Sequence, residues 1–556
     1  MVLSTIWSYL PKGSESKEVI LSLHSEISHL THFNLSHNSL YGSLDHIQLP
    51  LSLNRLEVLD WSYNAFSGSI PSYICLHSSP LIWLLDFSFN NFNGSISPGL
   101  GKCSKLRVFR AGYSNLTGLL PEDIYNATTS LEENELPSNS IYGAISDKIV
   151  NLTALNTFDL SYNHFSLVLP PSLGKLSKLK FLVLDSNNLE GPLPPSLMNC
   201  TKLVEIRIGA NSLEGDISTF NFSKLSQLSK LDLAVNLLTG TVPRSLYSCK
   251  SLKAIRLGEN DLEGLIQPEI ISLTSLSFLS FSFNKRQLTN VTGAVKGPIP
   301  SWLGTLPRLH SILLASNQIS GGFPKELCRL PMLVHGRAAG QVDRNQLELP
   351  IFVKPEDGDT IQYSSLSLFS PMIDLSNNNM SGSIPSEIGQ MQFLSKWHLS
   401  FNNFSGDIPH QISNLKNLKV LDLFNNHLSG KIPASLTFLN LLGIFNVSYN
   451  NLEGPITTSI QFQSFSAYAF EGNPKLCGAL LQKECQPRKV IDGDEKGKNQ
   501  DVENAYQNQN PWSYISIVLG FITGFWGVSG PLMLKKTWRN AYFQYLDNAK
   551  NKCKNI

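Results

Sequence analysis

Arg207 and Arg256 stand at the same place in two copies of a short leucine pattern. Each carries a planar fork of donors that pairs well with a carboxylate or a sulfate. Asp232, Asp374, His398 and Asp422 fill the matching place in other copies. Charged groups recurring at one position form a row that an extended ligand can lie along. Arg207, Arg256 and Asp374 are therefore candidate ligand contacts, although the same residues also read as ordinary solvated positions. The two arginines are two copies apart, roughly 10 Å at the usual strand spacing. No chemistry of bond-breaking accompanies them. The chain shows no Ser-His-Asp set, no H-x-x-H pair, no metal-binding triplet and no Gly-rich loop joined to a catalytic Asp motif. These residues imply recognition, with no catalytic residue, no metal and no cofactor. The net charge of +1 and the lack of basic clusters interleaved with aromatics argue against nucleic acid as a partner.

The positioning element is a repeat. Its period of about 24 residues is that of a stacked-coil array. Each copy reads LxxLxLxxNxLxGxIP, from Asn38, Asn64 and Asn90 to Asn426 and Asn450, with Ser114 standing in for asparagine once. Sixteen copies fit this pattern. One copy cannot bury its own leucines, but stacked neighbours can, so the pattern predicts a solenoid. The asparagines should form a buried column bonding the backbone of adjacent coils. The glycine permits a sharp turn. The Ile-Pro pairs (Ile70-Pro71, Ile384-Pro385, Ile408-Pro409, Ile432-Pro433) suggest a second extended segment on the flank. The expected fold is an α/β solenoid with a parallel concave sheet, roughly 75 Å long for sixteen coils.

Eight cysteines are too few for a dense disulfide scaffold. Cys103, Cys200 and Cys249 each follow a repeat Asn or its equivalent by the same interval, which suggests buried structural thiols on the convex side. Cys477 and Cys485 follow the last repeat and read as a disulfide in a terminal cap.

Eleven N-x-S/T sequons occur, at Asn34, Asn93, Asn115, Asn126, Asn151, Asn199, Asn221, Asn290, Asn379, Asn403 and Asn446. All precede an uncharged stretch, Ser513 to Leu534. That stretch is long enough to span a bilayer, which takes about 20 residues of helix. Trp512, Tyr514 and Trp538 lie near its edges, acidic residues precede it, and Lys535, Lys536 and Arg539 follow. The positive-inside rule then puts the C-terminus in the cytoplasm and the sequons outside. Gly520 and Gly524 form a GxxxG that lets a second helix approach. Met1 to Leu10 lacks the basic region and apolar run of a signal peptide, and no cap with paired cysteines precedes the repeats, so the start reads as truncated.

The period is interrupted twice. The step from Asn317 to Asn378 exceeds two periods, leaving an excess of about Val334 to Ser370. Such an insertion falls on a loop and is commonly functional. Within it Leu349 to Val353 reads as extended. The step from Asn284 to Asn317 exceeds one period by less, with a join near Lys296. The expected organisation is an irregular segment 1–30, repeats 31–460 with an insertion 334–370, a cap 461–485, an acidic linker 486–512, a span 513–534 and a tail 535–556.

The repeats resemble the plant-type leucine-rich repeat. The insertion resembles the island domain of plant receptors for tyrosine-sulfated peptides. That resemblance implies an island strand beside a peptide, with Phe352 as an apolar contact and Lys354 as a polar or anionic one. Repeats that the family carries between the elements matching Asn290 to Lys296 and Gly297 to Pro300 look lost at the join near Lys296, which would displace the concave surface relative to the island. The stretch from Gly520 through Lys535-Lys536-Thr537-Trp538-Arg539 resembles the span and tail of disease-resistance receptor-like proteins. This implies an adaptor or co-receptor kinase as partner, because the tail from Lys535 to Ile556 is too short to hold a kinase. The resulting expectation is a non-catalytic, single-pass plasma-membrane receptor for an extracellular peptide or protein ligand. A truncated decoy and a cell-wall enzyme inhibitor are the alternatives.

Overall fold

The computed structural model describes residues 30–45, 55–71, 74–77, 81–125, 130–284, 294–336, 351–353, 361–363 and 370–485. The linker, span and tail, with Gly520 and Gly524, lie outside them, as do the irregular start, Asn126, Asn290 and Lys354. Among the described residues no helix is long and apolar enough to cross a membrane.

The leucine pattern builds sixteen three-residue strands, from His32–Asn34 to Ile444–Asn446, paired in chain order in one parallel sheet. The middle residue of each strand turns inward. Leu182, Ile206, Leu231 and Ile255 are successive register partners and are fully buried. Each coil thus covers the apolar residues of the next, which is what one repeat alone cannot do.

The asparagine column is present. Asn187 Nδ2 donates to the carbonyls of Leu160 (3.0 Å), Leu184 (3.1 Å) and Asp185 (3.4 Å), and its Oδ1 accepts from the Phe165 amide at 2.9 Å. One side chain therefore satisfies the turn of its own coil and the backbone of the coil before it. Ser114 is too short for this and donates only to the Asn90 carbonyl, at 3.3 Å. The column extends one coil beyond the repeat: Asn473, in the cap, bonds Val447, Phe470 and Glu471 and accepts from Leu452.

The flank differs from expectation. The second strand comes before Ile-Pro, over residues such as Asn188–Pro192 and Asn403–Asp407, and Ile-Pro then leads into a 3-10 turn such as His410–Asn414. Pro409 caps that turn with φ −66°, the angle its ring imposes. The convex side consists of these turns, with only four-residue α-helices at Ile74–His77, Pro331–Val334 and Ile460–Gln463 among the described residues. The flank strands form a ten-stranded sheet, Tyr41–Ser43 to Asp261–Glu263, and a seven-stranded sheet, Lys296–Pro298 to Lys475–Cys477.

The step around Lys296 divides those two flank sheets but leaves the concave one intact. Phe278 pairs with Ser311 and Leu279 with Ile312, and among the described residues a single bridge, Gly264 to Val295, joins the flanks. The concave sheet is thus continuous across the join. The larger insertion likewise leaves the sheet continuous, with Ser311 opposite Met372. Inside it Ile351–Val353 pairs antiparallel with Ile361–Tyr363.

Cys103 corrects the thiol reading. It is bonded to Cys75, 28 residues earlier, and so ties two coils together on the convex side. Cys200 and Cys249 are buried free thiols, as is Cys328. Cys477 and Cys485 are bonded in the cap.

Candidate ligand-binding surface

Period-two alternation sends the first and third residues of each concave strand outward. The third positions form one cross-strand row in which Arg207 pairs with Asp232, Asp232 with Arg256, Arg256 with Ser280, Ser280 with Leu313, and Leu313 with Asp374. Arg207, Arg256 and Asp374 therefore do share a row, as their spacing implied.

Their side chains are more engaged than that spacing implied. Arg207 is buried, with an ion pair to Asp185 at 2.9 Å and a longer one to Glu205 at 3.6 Å. It is a structural anchor of the ladder rather than a solvated ligand fork. Glu205 also holds Lys230 at 3.4 Å. Arg256 binds Asp232 at 3.1 Å and remains partly exposed. Asp374 turns back on its own chain and accepts from the amide (3.0 Å) and hydroxyl (2.7 Å) of Ser376. Phe352 stands in the antiparallel pair with Gln362 as its register partner.

Acidic groups that the sequence reading did not single out dominate the first half of the face, from the third strand to the eighth. Arg110 is shared by Asp86 at 3.8 Å, Glu135 at 3.3 Å and Glu133 in close contact. Burial pushes the Glu135 carboxyl up to about 7 despite Arg110, and Asp185 up to about 6 despite Arg207. Burial also raises Asp159 and Asp86, each partly offset by serine hydrogen bonds. Lys230 moves the other way, down to about 8, again chiefly by burial. Compressed positive and negative groups in alternate strands suit polar side chains of an extended ligand better than a bare hydrophobic one. The available signal was the run of carboxylates at strand ends, Asp86, Glu135 and Asp159.

The described sequon residues are arranged around this face. Asn93, Asn115, Asn379 and Asn403 lie on flank strands, and Asn151, Asn199 and Asn221 on convex turns, all exposed. Only Asn34 and Asn446 are on concave strands, the first and the last.

The Leucine Rich Repeat family pattern matches residues 55–76, 154–176, 178–200, 372–391 and 417–439. Receptor-like protein EIX2 of Solanum lycopersicum is 41% identical over 309 residues, 49% of this chain and 30% of that protein. Receptor-like protein 3 of Arabidopsis thaliana is 40% identical over 331 residues, 46% of this chain and 43% of that protein. The chain thus spans less than half the length of these relatives. Among solved structures, the Arabidopsis receptor kinase HAESA, in complex with the peptide hormone IDA and the co-receptor SERK1, has TM-score 0.62 and 29% identity. It covers 80% of this chain and 65% of its own. The plant peptide hormone receptor RGFR1 in complex with RGF2 matches with TM-score 0.62 and 29% identity, over 81% of this chain and 67% of its own. Sequence repeat, sheet topology and these likenesses agree: the chain is a leucine-rich-repeat protein related to the plant receptor-like proteins.

Proposed function

We propose that this chain is a non-catalytic, single-pass cell-surface receptor-like protein that binds an extracellular peptide on its concave face and signals through a partner receptor kinase. The observation that carries the reading is the uninterrupted sixteen-stranded sheet from which a paired insertion departs between Leu313 and Met372. A solenoid that keeps its register across so long an excursion has spent chain length on something other than its own core. Two structural neighbours are receptors in complex with peptides, one of them also with a co-receptor, which supports the same class of ligand and partner.

In this reading Arg256 meets an anionic group of the ligand, Arg207 holds the ladder on which it stands, and Asp374 shapes the turn facing the insertion. Phe352 and Lys354 contact the peptide from the insertion side. The sequons carry glycans that leave the middle of the concave face clear. Residues 513–534 cross the plasma membrane, and Gly520 and Gly524 admit the partner's span. The ligand acts through its higher affinity for the paired receptor than for the free one.

The deciding experiment isolates the full-length protein from membranes with and without elicitor and identifies co-purifying receptor kinases by mass spectrometry. A kinase recovered from wild type in greater amount with elicitor than without, and lost with Gly520→Leu and Gly524→Leu, is the expected result. No kinase under any elicitor overturns the signalling role. For the binding site, Phe352→Ala with Lys354→Ala should weaken peptide affinity; unchanged affinity removes the insertion from it.

A further inference from the structure

The ten-stranded flank sheet presents a second surface, on the side of the solenoid and apart from the concave face. Leu119 and Tyr142 are register partners on adjacent strands, and both are at least half exposed. On the next strand His164 is the register partner of Tyr142, and Leu167 and Val168 lie further along it at 52% and 54% exposure. Exposed leucine, tyrosine and valine on three neighbouring strands gather apolar surface of the kind that marks interaction sites.

Leu167 also occupies an unusual slot. The repeat places glycine here, as Gly143 (φ 96°) and Gly191 (φ 71°) do in the neighbouring coils, yet Leu167 holds φ 65° with an exposed side chain. A leucine gains nothing for the fold in this place, since it is strained by its backbone and buries little.

Charge then changes along the same sheet. Val168 pairs with Glu190, and Pro192 with Glu214. Asp216 and Glu263 follow, while the ten strands hold no lysine or arginine at all. Glu190, Glu214 and Glu263 are exposed and form no ion pair among the described residues. Apolar and acidic halves together extend roughly 30 Å, seven strands at the usual spacing. Flank sequons stand at Asn93 before this stretch, at Asn115 on its first strand at the end away from Leu119, and at Asn379 and Asn403 after it, but none lies on the six flank strands from Tyr142 to Glu263.

We propose that the flank face from Leu119 to Glu263 docks a partner protein segment that presents apolar side chains followed by lysine or arginine. The apolar half anchors the segment, and the acidic half selects it by charge and orients it along the solenoid axis. This surface is separate from the concave one, so it adds a protein contact to the proposed receptor without sharing its ligand residues.

The test uses the full chain in zwitterionic nanodiscs, with empty nanodiscs as blank, and fluorescence anisotropy of three labelled extended peptides. One carries a leucine block followed by a lysine block, the second leucine followed by glutamate, the third serine followed by lysine. The Leu/Lys peptide should bind about tenfold tighter than either other peptide, and the advantage over Leu/Glu should shrink as salt rises. Leu167→Gly with Val168→Ser should weaken it about fivefold, the worth of a partly buried aliphatic contact. Because Leu167→Gly removes strain, a melting temperature at or above that of wild type separates lost contact from lost fold. Glu190→Lys with Glu214→Lys should abolish the preference for lysine over glutamate. Arg256→Ala, on the concave face, should change nothing here. Equal binding of the three peptides, or Leu/Lys binding that is indifferent to the flank variants or lost with Arg256→Ala, overturns the proposal.

Discussion

Asn134 and Phe158 are register partners in adjacent concave strands, at the position where the chain turns its side chain into the core. Phe158 fits that place; Asn134 is equally buried, yet neither its amide nitrogen nor its oxygen has a hydrogen-bond partner. Its other register partner is Phe109, so the amide lies in an apolar stack. A buried amide without partners costs about 1 to 3 kcal/mol. Asn134→Leu should therefore stabilise the solenoid by about that amount, read as a higher thermal midpoint by circular dichroism. An unchanged or lower midpoint would show that the amide is satisfied after all.

Ser114 offers a milder version of the same test. It makes one bond where Asn139, in the next coil, makes four. Ser114→Asn should complete the column and add about 1 kcal/mol per buried hydrogen bond gained. Slower exchange of the Phe92 amide, which stands where Leu116 stands towards Asn139, would be the accompanying sign.

Glu135 predicts a pH dependence. Its carboxyl titrates near 4.5 when solvated and is pushed up to about 7 in the fold, chiefly by burial. Between those values the folded chain holds more protons than the unfolded one, so stability falls as pH rises through this window. Below it the penalty is absent; above it the penalty is complete. Asp185, raised to about 6, adds in the same direction. Melting temperature should decline from about pH 4.5 towards about pH 7, and Glu135→Gln should flatten that decline. A wild-type midpoint that rises across the window would refute the assignment.

The cysteines give a map that mass spectrometry can check. Non-reducing peptide maps should show Cys75 joined to Cys103 and Cys477 to Cys485. Cys200, buried and with its thiol pushed up to about 11, should resist alkylation until the chain unfolds, as should Cys249. Cys75→Ser with Cys103→Ser opens a closed loop spanning 28 residues, which should cost about 3 to 4 kcal/mol. A native map with Cys103 alkylated would exclude that bond.

The fold was legible because its determinants are local and repeated. A leucine every few residues, an asparagine each period and a glycine after it dictate the coil, and identical coils can only stack. Fifteen asparagines and Ser114 therefore translate into sixteen concave strands. The row joining Arg207, Arg256 and Asp374 was legible for the same reason, since equal offsets within equal coils become register partners.

What each side chain does on that row was decided only in three dimensions. Arg207 became an anchor because Asp185, a coil earlier, reaches it across the sheet, a contact no offset within one repeat reveals. Cys103 shared its spacing with Cys200 and Cys249 but alone lies beside another cysteine in the neighbouring coil. Asn473 joined the column from outside the repeat pattern because the cap takes up the coil's turn without its leucines. By itself the sequence determined the period, the stacking and the common rows, since those depend on one chain segment and its copy. Only the tertiary structure decided pairing, burial and charge, because these are set by whichever side chains adjacent coils happen to bring within a few ångströms.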